Sequence, residues 1–163
     1  MRLFTALWPS EEAAAALAEV IGSAPEGWRA SERSGWHITL AFHGEADAEA
    51  RAAALDAAAT GLPAPRLRLA GAGAFPRHLW ADVEAEPRSA LLALVTAAGG
   101  DAERIVPHLT LLVRRSSTAR LDAVPPWRDH VGPWWAPPEV TLVASEPAGY
   151  RVIHRVPLVV DVG

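Results

Sequence analysis

The sequence predicts an α+β fold: bilobal, pseudo-duplicated, with antiparallel sheets flanked by helices. Three observations lead there. Apolar and polar residues alternate with period two in several short runs bounded by Gly or Pro, the pattern of half-buried strands. Short turns such as Pro76-Arg77 and Pro147-Ala148-Gly149 join neighbouring runs as hairpins, so those strands pair antiparallel. One tetrad occurs twice, as His37-Ile38-Thr39-Leu40 and His108-Leu109-Thr110-Leu111, roughly half the chain apart and with a helical segment some way ahead of each.

Arg2 to Trp8 reads as the first strand. Ser10 then caps a helix whose first turn carries Glu11 and Glu12 and which runs to about Ile21, before Gly22 and Pro25. A polar stretch from Trp28 to Gly35 leads into a strand over Trp36 to Phe42, ended by Gly44. Asp47 starts a second helix over Ala48 to Ala59, stopped by Gly61 and Pro63. Arg66-Leu67-Arg68-Leu69 alternates as a strand continuing towards Phe75, and His78 to Val83 returns as its hairpin partner. Pro87 sits at the first position of a third helix that ends at Gly99-Gly100. A strand over His108 to Val113 follows, then a polar stretch from Arg114 to Asp122 and a loop rich in Pro and Trp from Val124 to Pro138. The last two strands are Glu139 to Ala144 and Arg151 to Val160.

The tetrads carry the chemistry. On a strand, alternate side chains share a face, so the His and Thr of each tetrad point the same way, with Cα atoms about 6.5 Å apart. Two such elements facing each other assemble two imidazoles and two hydroxyls. One neutral His can deprotonate water while a protonated His donates to a leaving oxygen, and both forms exist near neutral pH. The hydroxyls can donate to phosphate oxygens as charge builds there. A lone His-x-Thr is usually only the polar face of a strand. Two such tetrads among six His arise by chance about once in a thousand sequences.

Composition removes competing classes. Cys is absent, which excludes disulfides, thiol nucleophiles and Cys-bound metals. Lys is absent too, all 15 basic residues being Arg, so Schiff-base chemistry, a lysyl-adenylate and a P-loop are excluded. A net charge of −4 gives no global field for duplex nucleic acid, although local Arg clusters can meet a small anion or a strand end. No apolar run is long enough to span a membrane, and the opening stretch lacks a signal-peptide pattern, so the expected compartment is the cytoplasm. The chain is read as one bilobal domain, residues 1–163, acting as a monomer.

The pair of tetrads resembles the signature of the 2H phosphoesterases, and the chain is most similar to their RNA 2′,3′-cyclic phosphodiesterase (2′-5′ RNA ligase) branch. The supporting stretches are Arg2-Leu3-Phe4-Thr5-Ala6-Leu7, Trp36 to Glu45, Gly73-Ala74-Phe75-Pro76, Leu79-Trp80-Ala81-Asp82-Val83, Pro107 to Leu111, and Ser145-Glu146 with Tyr150. The resemblance implies tetrads lining a central cleft and hydrolysis of RNA 2′,3′-cyclic phosphate ends to 2′-phosphomonoesters, with no metal or other cofactor. It implies His37 and His108 as the acid–base pair, with His108 activating water and His37 protonating the departing 3′-oxygen, and Thr39 and Thr110 holding the phosphate. The reverse reaction would form a 2′-5′ RNA bond. Members of the family often carry Arg five residues after the second His. Here that position is Val113, and simple alternation would instead put Arg114 on the cleft side.

Further candidates are weighed against plainer readings. Phe42 and Phe75 can stack on a base, with core packing as the competing reading. Arg114, Arg115 and Arg151 form the best local basic patch, with solvated surface as the alternative. Trp127, Trp134 and Trp135 are either a lid or proline-braced packing, and His43 is a solvated turn residue or a support for the site. His78, His130 and His154 show no metal-ligand spacing and receive no role. The competing functions are the same chemistry on a small cyclic nucleotide or a tRNA-splicing cyclic phosphate, a non-catalytic RNA-end binder, and a metal-dependent phosphodiesterase.

Overall fold

A computed structural model describes residues 1–117, 119 and 124–161. The element order is β1 (Arg2–Leu7), α1 (Glu11–Ala18), β2 (Trp28–Ala30), a 3₁₀ turn (Arg33–Gly35), β3 (Ile38–Glu45), α2 (Ala48–Ala59), β4 (Arg66–Phe75), β5 (His78–Glu86), α3 (Arg88–Ala97), β6 (His108–Arg114), β7 (Glu139–Glu146) and β8 (Gly149–Pro157). The strands form two four-stranded sheets, ordered β3-β1-β7-β8 and β2-β6-β5-β4, with antiparallel pairing throughout. The α+β architecture with one tetrad strand in each sheet is as the sequence predicts. The polar stretch expected after Arg114 falls partly on residues 118 and 120–123, outside the described residues.

The helix caps follow the sequence closely. Ser10 accepts from Ala13 N at 3.0 Å and Asp47 from Ala50 N at 3.0 Å, each satisfying a backbone donor of a first turn. Several boundaries differ from expectation: the strand expected over Trp36 to Phe42 runs from Ile38 to Glu45, the one from His78 reaches Glu86, and the last spans Gly149 to Pro157. α1 stops at Ala18 rather than Ile21, because Val20 N turns back to Leu17 O and Gly22 takes φ +66°. Pro87 stands just before α3, as its cap residue, and not inside its first turn. The strand β2 is too short, at three residues, to leave a periodic pattern in the sequence.

A continuous core joins both sheets: Leu3, Leu7, Ile38 and Leu142 of one pack with Leu67, Leu79, Val83 and Leu109 of the other. α3 touches both β5 and β3 and so bridges the lobes. At its end Gly100 lies against β3, where a Cβ would come within 2.2 Å of the Leu40 carbonyl oxygen, so only glycine fits that approach.

The Pro/Trp-rich loop is a strap and not a lid. Trp135 exchanges backbone hydrogen bonds with Leu67, at 2.7 and 2.8 Å, and Gly132 N donates to Leu69 O, which covers the free edge of β4. The Trp135 indole donates to Trp8 O at 3.1 Å, lacing the strap to the other sheet. Trp127 is 1% exposed and donates to Trp80 O at 2.9 Å. Trp134 lies under Arg66 and Arg68, whose guanidinium carbons sit 5.0 and 4.5 Å from its ring centroid.

Candidate active site

His37 and His108 are built alike. His108 opens β6 and His37 stands immediately before β3, and each Nδ1 stands 2.7 Å from the carbonyl oxygen two residues earlier, Gly35 O for His37 and Val106 O for His108. A carbonyl only accepts, so Nδ1 carries the hydrogen in both rings and Nε2 is left as the proton-exchanging atom. His37 is set among Phe4, Trp8 and Tyr150, with ring centroids 4.8, 5.6 and 5.1 Å away. His108 is set against Phe75 and Trp80, at 5.0 and 5.5 Å. Trp80 lies flat across Gly73, where a Cβ would meet its ring at 2.0 Å.

His37 feels the charge of His108. Burial pushes the His37 pKa below the usual imidazole value, and the His108 charge adds to this against the Gly35 hydrogen bond. His37 is therefore predominantly neutral at neutral pH in the free protein. Thr39 and Thr110 share the cleft faces of their strands, Thr39 opposite Ala6 and Thr110 opposite Trp80, and both are half-buried. Among the described residues, no three His, Asp or Glu side chains converge in a way that could hold a metal ion, and no helix is long and apolar enough to cross a membrane.

The family model for LigT-like phosphoesterases matches residues 7–83, from the end of β1 through the first tetrad to the middle of β5. No curated protein sequence matches the chain. Among solved structures, TT0787 of Thermus thermophilus is 35% identical over 97% of this chain and 98% of that one, with a TM-score of 0.71. E. coli LigT complexed with 3′-AMP is 31% identical over 96% of both chains, with a TM-score of 0.69. E. coli LigT complexed with NADP+ is 30% identical over 96% of this chain and 97% of that one, with a TM-score of 0.72. The chain belongs to the LigT-like phosphoesterases of the 2H superfamily.

One local irregularity decides what else the LigT-like cleft contains. In β1–β3, Thr5 pairs with Ala41 and Ala6 with Thr39, so Leu40 is an extra, unpaired residue. In β5–β6, Leu79 pairs with Leu112 and Trp80 with Thr110, so Leu111 is extra in the same way. Each tetrad strand thus bulges immediately after its Thr, and a bulge flips the alternation beyond it. The fifth residue after each His, Phe42 and Val113, comes to the cleft side.

This corrects the expectation for Arg114, which simple alternation placed beside the phosphate. It lies on the opposite face, across from Trp28, and its guanidinium donates to Ser116 O at 3.0 Å and Ser117 O at 2.6 Å. The expected basic patch is dispersed as well. Arg151 is held in a two-point pair with Glu146, at 2.8 and 3.1 Å, while Arg115 is exposed where its backbone N–H meets Gly27 O. Phe42 does not pack in the core: it is 80% exposed on the cleft rim, 6.3 Å from Phe4. Phe75 is half-buried against His108. His43 turns away from the cleft and bonds the buried Thr5 hydroxyl at 2.8 Å, so it is half-buried and not part of the site. Sequence reasoning missed Phe4, Trp8, Trp80 and Tyr150 as the walls around the imidazoles, because each reads locally as an ordinary strand aromatic.

Proposed function

We propose that this LigT-like phosphoesterase hydrolyses RNA 2′,3′-cyclic phosphate ends to 2′-phosphomonoesters by two-histidine acid–base catalysis, without a metal ion. The observation that supports this most is the matched pair of imidazoles, each locked through Nδ1 to a backbone carbonyl and each offering a free Nε2. Binding alone does not call for two proton-exchanging groups on opposite lobes. His108 Nε2 takes the proton of a water as its oxygen attacks phosphorus. The P–O3′ bond breaks, and His37 Nε2 delivers its proton to the departing 3′-oxygen. His37 is mostly neutral in the free protein, so it acts as donor only after taking up a proton; once charged, its lowered pKa makes it the stronger acid. Thr39 and Thr110 donate to the non-bridging oxygens. Phe42 offers a stacking face for the terminal base. The same site run in reverse would join a cyclic phosphate end to a 5′-hydroxyl through a 2′-5′ bond.

The test is turnover of RNA ending in a 2′,3′-cyclic phosphate in excess EDTA. Formation of a 2′-phosphate at an undiminished rate supports the reading. Loss of the rate to chelator, or a 3′-phosphate product, overturns it.

The pH profile carries a second test. The active form is the pair bearing one proton, so activity is bell-shaped and one limb follows His37. Tyr150 packs edge-on against His37. Tyr150→Ala admits water to that imidazole, relieves its burial and raises its pKa towards about 6.5, so that limb moves to higher pH. A profile superimposable on wild type would show that Tyr150 does not shield the ring.

A further inference from the structure

The bulge at Leu111 aligns a row of residues across the cleft face of the second sheet: Arg29 pairs with Val113, Val113 with His78, and His78 with Phe75. His78 shares its face with Trp80, which packs on His108, and its imidazole feels the His108 charge. Arg29 is exposed on the edge strand β2, and its guanidinium has no ion-pair or hydrogen-bond partner among the described residues. Arg77 occupies the turn beside His78, and its positive charge reaches that ring.

The opposite end of the same sheet face is charge-balanced, its carboxylates standing among arginines. Asp82 pairs in register with His108, and Glu84 and Glu86 follow it on that face. They line a groove of about 650 Å³ with Arg68, Arg88 and Trp134. Glu84 and Glu86 already hold Arg68 and Arg66, so this end offers little net attraction to phosphate. The charge on the face therefore runs from balanced beyond Asp82, past His108, to basic at Arg29 and Arg77.

We infer that Arg29 and His78 form a subsite for the phosphodiester one nucleotide upstream of the reacting end, so that the preferred substrate is an oligonucleotide and not a mononucleotide. The inference rests on the proposed cyclic-phosphate reaction and names its substrate class. Arg29 supplies a fixed cation free to form a two-point contact with phosphate. His78, kept neutral by burial and by the charges of His108 and Arg77, supplies a ring N–H. Val113 between them is apolar and short, which leaves room for the backbone to pass. A mononucleotide cyclic phosphate ends before Arg29 and His78 and does not use them.

The experiment compares kcat/KM for 2′,3′-cyclic AMP and for a tetranucleotide ending in a 2′,3′-cyclic phosphate, in wild type, Arg29→Ala and His78→Gln. The expected result is a drop of about tenfold per substitution on the tetranucleotide, the effect of one lost charge-assisted hydrogen bond, and no change on the mononucleotide. Arg29→Ala also makes the tetranucleotide rate less sensitive to salt. Equal losses on both substrates, or none on either, overturn the subsite. If wild type turns over neither substrate, the cyclic-phosphate reading fails instead. The subsite is then decided by binding of a fluorescent tetranucleotide, where equal affinity of wild type and Arg29→Ala rejects it and a tenfold weakening upholds it.

Discussion

His108→Ala and His37→Ala each lower turnover of a 2′,3′-cyclic phosphate by about 10²–10⁴-fold while leaving the circular dichroism spectrum of the protein unchanged. The size follows from the proposed role, in which each imidazole moves one proton at the transition state and water is a poor substitute at either position. The intact fold follows from the surroundings. Both rings are half-buried on the cleft side, outside the core, and each makes a single hydrogen bond, to a backbone carbonyl at the mouth of its own strand. Their removal leaves no buried charge and no internal void. The measurement is single-turnover hydrolysis alongside thermal melting. A folded variant retaining a tenth or more of the wild-type rate would remove that histidine from the mechanism.

Trp127→Ala is the substitution with the largest expected cost to stability, about 3–5 kcal/mol, from lost burial and the cavity left behind. Trp127 is among the largest fully buried side chains, and its indole N–H satisfies the Trp80 carbonyl. A domain of this kind has roughly 5–15 kcal/mol to lose, so the variant should unfold at much lower urea. Trp80 also packs on His108, so turnover should fall with stability. A loss below about 1 kcal/mol by urea titration would show that the strap closes over the gap, or that its tryptophan is not a structural anchor.

The fold was largely readable because its strands and helices carry local signals. The caps Ser10 and Asp47, the alternation of Arg66 to Leu69 and the Gly99-Gly100 stop all act within a few residues of themselves. What was not readable depends on partners. The bulges at Leu40 and Leu111 exist only as a mismatch between paired strands, and without them Arg114 reads as facing the cleft. Phe42 reads as core for the same reason. Arg29 carried no signal at all, since its place is set by a three-residue strand that joins the sheet only through Val113 and its neighbours. The Pro/Trp-rich loop gave its composition but not its course, because the carbonyls that receive Trp127 and Trp135 are remote in sequence.

The two imidazoles ride on different sheets, and no strand is shared between them. The gap that a phosphorus atom must fit is thus not a local property of either tetrad. It works as a caliper whose jaws are the sheets and whose setting is the buried layer between them, with α3 wedged across β5 and β3 and Gly100 seated on the Leu40 carbonyl. Evolution or design can retune the opening of this caliper from inside the protein, by a methyl group added or removed far from any reacting atom, with every catalytic residue kept.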